Sequence, residues 1–174
     1  MSLTLVLGSM FSGKTEELMR RVRRYKAIGW GVLVVNSHLD TRVEQEKKQV
    51  RSHDGRGHAA VMTESLTPLD VSEYPVVAVD EAQFFEDLVP AVKQWLSLEK
   101  HVILSGLNGD FQQRPIGHIL ELIPEADDVV WKRALCAVSK DGTLASFSKR
   151  LTDDTEVVMA GGREAYMAVC RKHL

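Results

Sequence analysis

Gly8-Ser9-Met10-Phe11-Ser12-Gly13-Lys14-Thr15 fits the pattern G-x-x-x-x-G-K-[ST], and the chemistry it implies is phosphate binding. The glycines let the backbone turn tightly, so that its N–H groups and a helix N-terminus surround an anion. Lys14 adds a point charge and Thr15 a hydroxyl for Mg²⁺. A second chemical group is Val79-Asp80-Glu81, an acidic pair ending an apolar run. A carboxylate there helps hold Mg²⁺ through its hydration shell, which suits Asp80 and leaves Glu81 as a base. A base beside a γ-phosphate either orients water, making an NTPase, or takes a proton from a substrate hydroxyl, making a kinase; the pair alone allows both. Ala82-Gln83-Phe84-Phe85 then sets adjacent aromatics beside this centre, and Phe111 follows the next apolar run at the same sheet edge. A ring stacked on a nucleobase stabilises by about 1–3 kcal/mol. Phe84 and Phe111 therefore read as base-stacking residues and Phe85 as a core residue.

The elements that must position these groups are legible from periodicity. Apolar runs at 3–7, 32–35, 76–79, 102–104 and 129–131 suit buried strands. Between them, 15–27 places Leu18, Met19, Val22 and Tyr25 on one helical face, and 88–98 does the same with Leu88, Val92, Trp95 and Leu96. The apolar stretch 119–123 reads as a short helix. Strands separated by helices predict an α/β fold of the phosphate-loop NTPase type: a mainly parallel sheet with helices on both faces and ligands at the carboxyl edge of the strands. Residues 37–57 are polar and form a long excursion suited to function. The last forty or so residues lack the βα rhythm and end in an apparent helix at 163–171. The expected division is a nucleotide-binding domain at 1–133 and a small lobe at 134–174.

Composition narrows the class. The 174 residues carry a formal net charge of −2, against the basic excess of a general nucleic-acid binder. Two cysteines give no disulfide framework and fit a reducing compartment. No secretory leader or apolar run of membrane-spanning length stands in the sequence, so a cytoplasmic protein is expected, with neither nucleic acid nor membrane as partner. Arg20, Arg21, Arg23 and Arg24 read as a solvated or subunit-contacting helix face. His53 either positions a phosphate-side loop or makes a structural hydrogen bond, and Cys136 reads as a small buried residue.

The phosphate-loop octapeptide, Asp40-Thr41-Arg42, Ser52-His53-Asp54-Gly55, Asp80-Glu81-Ala82-Gln83-Phe84-Phe85 and Leu107-Asn108-Gly109-Asp110-Phe111 occur in one order along the chain. They are followed by Ser148-Lys149-Arg150-Leu151 and by Gly161-Gly162 through Tyr166 to Cys170-Arg171-Lys172-His173. Together they closely resemble the type II thymidine kinases, over nearly the whole length. The resemblance implies phosphoryl transfer from ATP to the 5′-hydroxyl of thymidine, and acceptance of deoxyuridine becomes an expectation with it. Glu81 is implied as general base and Lys14 and Arg42 as the cations offsetting charge on the transferred group. Gly8, Ser9, Met10, Phe11, Ser12, Gly13, Lys14, Thr15, Asp40, Arg42, Asp80 and Gln83 would line the ATP side, with Thr15 and Asp80 serving Mg²⁺. Phe84 and Phe111 would flank thymine, and Met10 with Ser148 would border its methyl group. A lasso loop in the C-terminal lobe, Val157, Val158, Met159, Ala160 and Gly161, would read the base through its backbone, with Tyr166 closing the site. A homotetramer is implied as well.

The sequence also departs from the family pattern. Asn108 stands where Asp is common and Ile116 where Phe is common, which alters part of the pocket wall. The family's lobe is usually closed by zinc on two C-x-x-C pairs, or on C-x-x-C with C-x-x-H. Cys170 and His173 keep the second spacing, whereas Ser139 and Gly142 stand in for the partner pair. Half a ligand set predicts no structural zinc. Cys136 would join only as the third ligand of an open site, after a change of backbone. The turn around Asp141-Gly142 is instead expected to be held by packing of Leu144 and Phe147.

Overall fold

The computed structural model describes residues 1–39, 49–51, 57–152 and 164–174. The chain opens with strand β1 (Ser2–Gly8) and helix α1 (Lys14–Ala27), joined by the phosphate loop, and continues into β2 (Val32–Ser37). Within the polar excursion, β3 (Gln49–Arg51) and β4 (Gly57–Ala59) form an antiparallel pair, and β5 (Val61–Thr63) follows. Then come β6 (Val76–Asp80), a 3₁₀ turn at Ala82–Phe84, helix α2 (Leu88–Ser97) and β7 (His101–Leu107). A 3₁₀ segment at Ile119–Glu125, with Pro124 inside it, leads to β8 (Asp128–Lys132). The remainder consists of β9 (Ala134–Leu135), β10 (Leu144–Ala145), β11 (Phe147–Arg150), β12 (Tyr166–Val169) and a 3₁₀ turn at Arg171–His173.

Six strands form one parallel sheet in the order β5-β2-β6-β7-β1-β8. Alternation along each strand feeds two cores. Leu3, Leu5 and Leu7 of β1 pack with Val77, Val79 and Leu104 against Leu88, Val92 and Trp95 of α2. Val6, Val34, Ala78 and Ile103 point the other way, onto Leu18, Met19 and Val22 of α1. Both faces are thus covered, which is why the strands read as continuous apolar runs rather than alternating ones. The predicted α/β architecture is what the chain adopts.

Three local expectations are corrected. The terminal helix at 163–171 is strand β12, whose residues pair antiparallel with β11 from Phe147↔Val169 to Arg150↔Tyr166. The short apolar stretch Ala165 to Val169 suits either state by periodicity, and the partner strand decides it. The excursion at 37–57 contains a strand pair, and β5 beyond it adds a sixth strand to the sheet beside β2. In the hairpin of β9 and β10, Leu144 faces outward and Ala145 is the buried residue, so packing there falls to Ala145 and Phe147.

The lobe has its own small core of Ala134, Cys136, Ala145, Ala168 and Val169, and Phe11 of the phosphate loop packs against it. Lobe and loop are therefore joined by apolar contact as well as by chain connectivity.

Candidate active site

Parallel strands deliver their carboxyl ends to one edge, so the loops after β1, β6, β7 and β8 assemble there. Gly8, the last residue of β1, lies so close to β8 that an added Cβ would stand 2.2 Å from the Lys132 carbonyl oxygen. Gly13 has φ +79, the left-handed conformation that lets the loop turn into α1. Inside the loop the Ser12 hydroxyl donates to the Ser9 carbonyl at 2.8 Å and Lys14 Nζ donates to the same oxygen at 2.9 Å. No side chain caps the N-terminus of α1. An anion is the natural complement of such a terminus, and the donors present here fit a polyphosphate.

The Thr15 hydroxyl donates to Asp80 Oδ2 at 2.8 Å, which unites the two hard oxygen donors expected for Mg²⁺. Asp80 is almost fully buried as the last residue of β6. Glu81 follows at φ 49, ψ 42, a left-handed conformation that costs a non-glycine residue on the order of 1–3 kcal/mol. Gln83 secures it: its amide nitrogen donates to Glu81 Oε2 at 2.7 Å, and its carbonyl oxygen accepts the Leu107 N–H at 3.0 Å. Gln83 thus ties Glu81 to the end of β7. Gly117 makes room for this arrangement, since a Cβ there would stand 2.0 Å from the Gln83 backbone carbonyl oxygen.

The aromatics differ in burial, and Phe85 is the core residue expected. Phe85 is buried in the main core, while Phe84 and Phe111 are half-buried. Asp110 shapes the Phe111 loop by accepting the N–H groups of Gln112 and Arg114 at 2.8 and 2.9 Å and Arg114 Nε at 3.2 Å. Ser148 accepts the Met10 N–H at 2.9 Å, and the Ser9 hydroxyl donates to the Ala145 carbonyl at 3.3 Å, so the lobe grips the phosphate loop directly. Tyr166 is buried and its hydroxyl accepts from Arg150. The remaining predicted residues, Asp40, Arg42, Val157, Val158, Met159, Ala160 and Gly161, lie outside the described residues, as does His53.

Sequence reasoning assigned no role to three residues found at this edge. Lys132 ends β8, with its Cε 3.9 Å from where a Cβ on Gly13 would be. Gly117 and Arg150 support Gln83 and the aromatics. Arg150 stands within the Ser148-Lys149-Arg150-Leu151 motif, but nothing local assigns its role, and nothing local marks Gly117 or Lys132, because their neighbours here are far away in the chain. By contrast, three arginines of the basic stretch on α1 form ion pairs within the chain: Arg20 and Arg21 pair with Glu17, and Arg23 with Glu16.

The metal-ligand count needs correction. Cys136 Sγ, Cys170 Sγ and His173 Nδ1 all lie within 4.8 Å of one another, so three donors converge rather than two. Cys136 needs no change of backbone, because it directly follows β9 and its N–H donates to the Thr143 carbonyl at 2.8 Å. The C-x-x-C spacing survives as Cys136-x-x-Ser139, with one ligand replaced and Gly142 outside the set. The Ser139 hydroxyl takes the fourth place, 3.2 Å from His173 Nδ1 and 3.8 Å from Cys170 Sγ. Hydrogen bonds from the Ser139 hydroxyl and N–H, joined by the Cys170 N–H and His173, outweigh burial and hold the Cys136 thiol down to about 5. The thiolate is the form that ligates metal.

Comparison with known proteins identifies the family. The family model described as "Thymidine kinase" matches residues 1–174. The thymidine kinase of Myxoma virus (strain Uriarra) is 41% identical over 171 residues, covering 97% of this chain and 93% of the relative. The thymidine kinases of Monkeypox virus and of Vaccinia virus (strain Ankara) are 38% and 37% identical over 170 residues, with the same coverage of each chain.

Proposed function

The chain belongs to the thymidine kinase family, and from that premise we propose that it transfers the γ-phosphoryl group of ATP to the 5′-hydroxyl of thymidine, and of deoxyuridine, giving the 5′-monophosphate and ADP. The observation that carries the reading is the meeting of Thr15 and Asp80 at 2.8 Å behind a buried Glu81 that Gln83 holds in place. Glu81 removes the hydroxyl proton as the oxygen attacks. Lys14, together with Arg42, offsets the charge on the transferred group, and the phosphate loop with Asp40 orients the nucleotide. Thr15 and Asp80 would hold Mg²⁺, whose charge counters that of the phosphates. Phe84 and Phe111 flank the base, Met10 and Ser148 border its methyl group, and residues 157–161 with Tyr166 close over it.

We divide the chain into a nucleotide-binding domain at 1–133 and a lasso lobe at 134–174. The separate small core of the lobe supports this division. No helix among the described residues is long and apolar enough to cross a membrane. A cytoplasmic homotetramer is the assembly the family likeness supports. For the lobe we infer that zinc is not a permanent structural component. Two thiols and an imidazole suit the metal, but Ser139 supplies a neutral hydroxyl where a third thiolate would close the tetrahedron.

The test of the catalytic assignment is Glu81→Gln, which keeps shape and removes the proton acceptor. Turnover with thymidine should fall by about 10²–10⁴ while ATP binding, followed by fluorescence titration, is retained. Near-normal turnover would show that Glu81 is not the base.

A further inference from the structure

Arg150 is a charged residue in a place where packing alone would favour an apolar one. It ends β11 with only 9% of its surface exposed, opposite Tyr166 in the β11–β12 register. Its guanidinium carbon stands 3.9 Å from the centroid of the Phe111 ring and 5.1 Å from that of Tyr166. Nη2 donates to the Tyr166 hydroxyl at 2.5 Å. Burying a guanidinium is costly unless its charge and donors are used, and here the planar group stacks on one ring and bonds to the hydroxyl on another.

Strand alternation gives this contact its meaning. Ser148, two residues earlier, shares the buried face of β11 and accepts the Met10 N–H of the phosphate loop, whereas Lys149 between them is exposed. One face of one short strand therefore touches the phosphate loop at one end and two aromatics at the other. Asp110 fixes the backbone around Phe111, yet no bond from Asp110 sets the tilt of the ring. The Arg150 guanidinium carbon lies over one face of that ring.

We propose that Arg150 is a positioning residue for nucleoside binding: it fixes the Phe111 ring and the Tyr166 hydroxyl relative to each other and leaves the opposite face of Phe111 for the base. This rests on the functional reading above, in which both aromatics meet thymine. Arg150 acts through them and touches no reacting atom. Cation–π contact and a charged hydrogen bond are together sufficient for about a tenfold effect on binding.

Steady-state kinetics on Arg150→Lys, Arg150→Met and Tyr166→Phe, with melting curves for each, test the proposal. Arg150→Met should raise the KM for thymidine by about tenfold or more and leave the KM for ATP within about twofold. Arg150→Lys keeps the charge but not the plane, so it should recover only part of that loss. Tyr166→Phe in an Arg150→Lys background should cost less than it does alone, because the two side chains share one bond. If Arg150→Met does not fold, Arg150→Lys at near wild-type melting temperature decides. An unchanged thymidine KM in it, or a parallel rise for ATP, would overturn the role of Arg150 alone. Absence of thymidine phosphorylation by the wild-type chain would overturn the functional reading and this inference with it.

Discussion

Glu81 sits in a left-handed conformation, is buried, and accepts a side-chain bond from Gln83. Strain of this kind persists only where the surroundings enforce it, and here the Gln83 backbone lies so close to Gly117 that a Cβ there would not fit. Gly117 itself has φ +57. Gly117→Ala should therefore shift Gln83, lower the stability by roughly 1–3 kcal/mol and reduce turnover more than it weakens ATP binding. Thermal melting paired with turnover checks this; an unchanged protein would mean that Gln83 moves aside without consequence. The identities of the phosphate loop, Asp80 and Glu81 were legible in the sequence because their spacing is fixed by local chain geometry. Gly117, Lys132 and Arg150 were not, because their partners are remote and their residue types are common on surfaces.

At the scale of elements, one carboxylate anchors the entry to α2. Asp87 Oδ2 accepts the N–H groups of Leu66 and Thr67 at 2.8 and 2.7 Å and the hydroxyls of Ser65 and Thr67, fastening the segment after β5 to the start of the helix. Burial alone would push this carboxyl up, but the bonds from Ser65, Thr67 and Leu66 outweigh it and the net shift is downward. A carboxyl depressed in the folded state contributes stability above its ordinary value of 3.8, and that contribution is lost as pH falls through the folded value. Asp87→Asn should cost about 1–3 kcal/mol near neutral pH, and the gap to wild type should close in acid. Melting curves across pH measure it; a gap independent of pH would contradict the assignment. The long strands β1, β2, β6 and β7 were readable because both faces are buried and the apolar runs are continuous. Strands β11 and β12 were not, since four residues carry no decisive period and pairing across the chain sets their state.

For the whole molecule, the parallel sheet sets the loops at one edge and the lobe comes to them through Phe11, Ser9 and Met10. The lobe's metal cluster bears on how firmly that grip is kept. With three donors and a serine, zinc should be removed by strong chelation and leave less than one ion per chain. Ser139→Cys should retain about one ion per chain and melt about 5 °C higher or more. Elemental analysis before and after chelation decides, and one ion retained by the wild-type chain would sink the reading. Sequence analysis admitted Cys136 only after a change of backbone, because the partner pair was placed on Ser139 and Gly142, three residues too late. The fold shows that the turn begins at Cys136.

The central claim is that the edge built from Lys14, Thr15, Asp80 and Glu81 phosphorylates a pyrimidine deoxynucleoside rather than activating water. It is tested most directly by following ADP formation by the purified chain with ATP and Mg²⁺, alone and with thymidine, deoxyuridine, deoxyadenosine or deoxyguanosine. The account predicts little ADP without nucleoside, rapid formation with thymidine and deoxyuridine accompanied by the matching 5′-monophosphate, and no efficient turnover of the purines. ADP released at the same rate with and without thymidine, with no monophosphate formed, would contradict it.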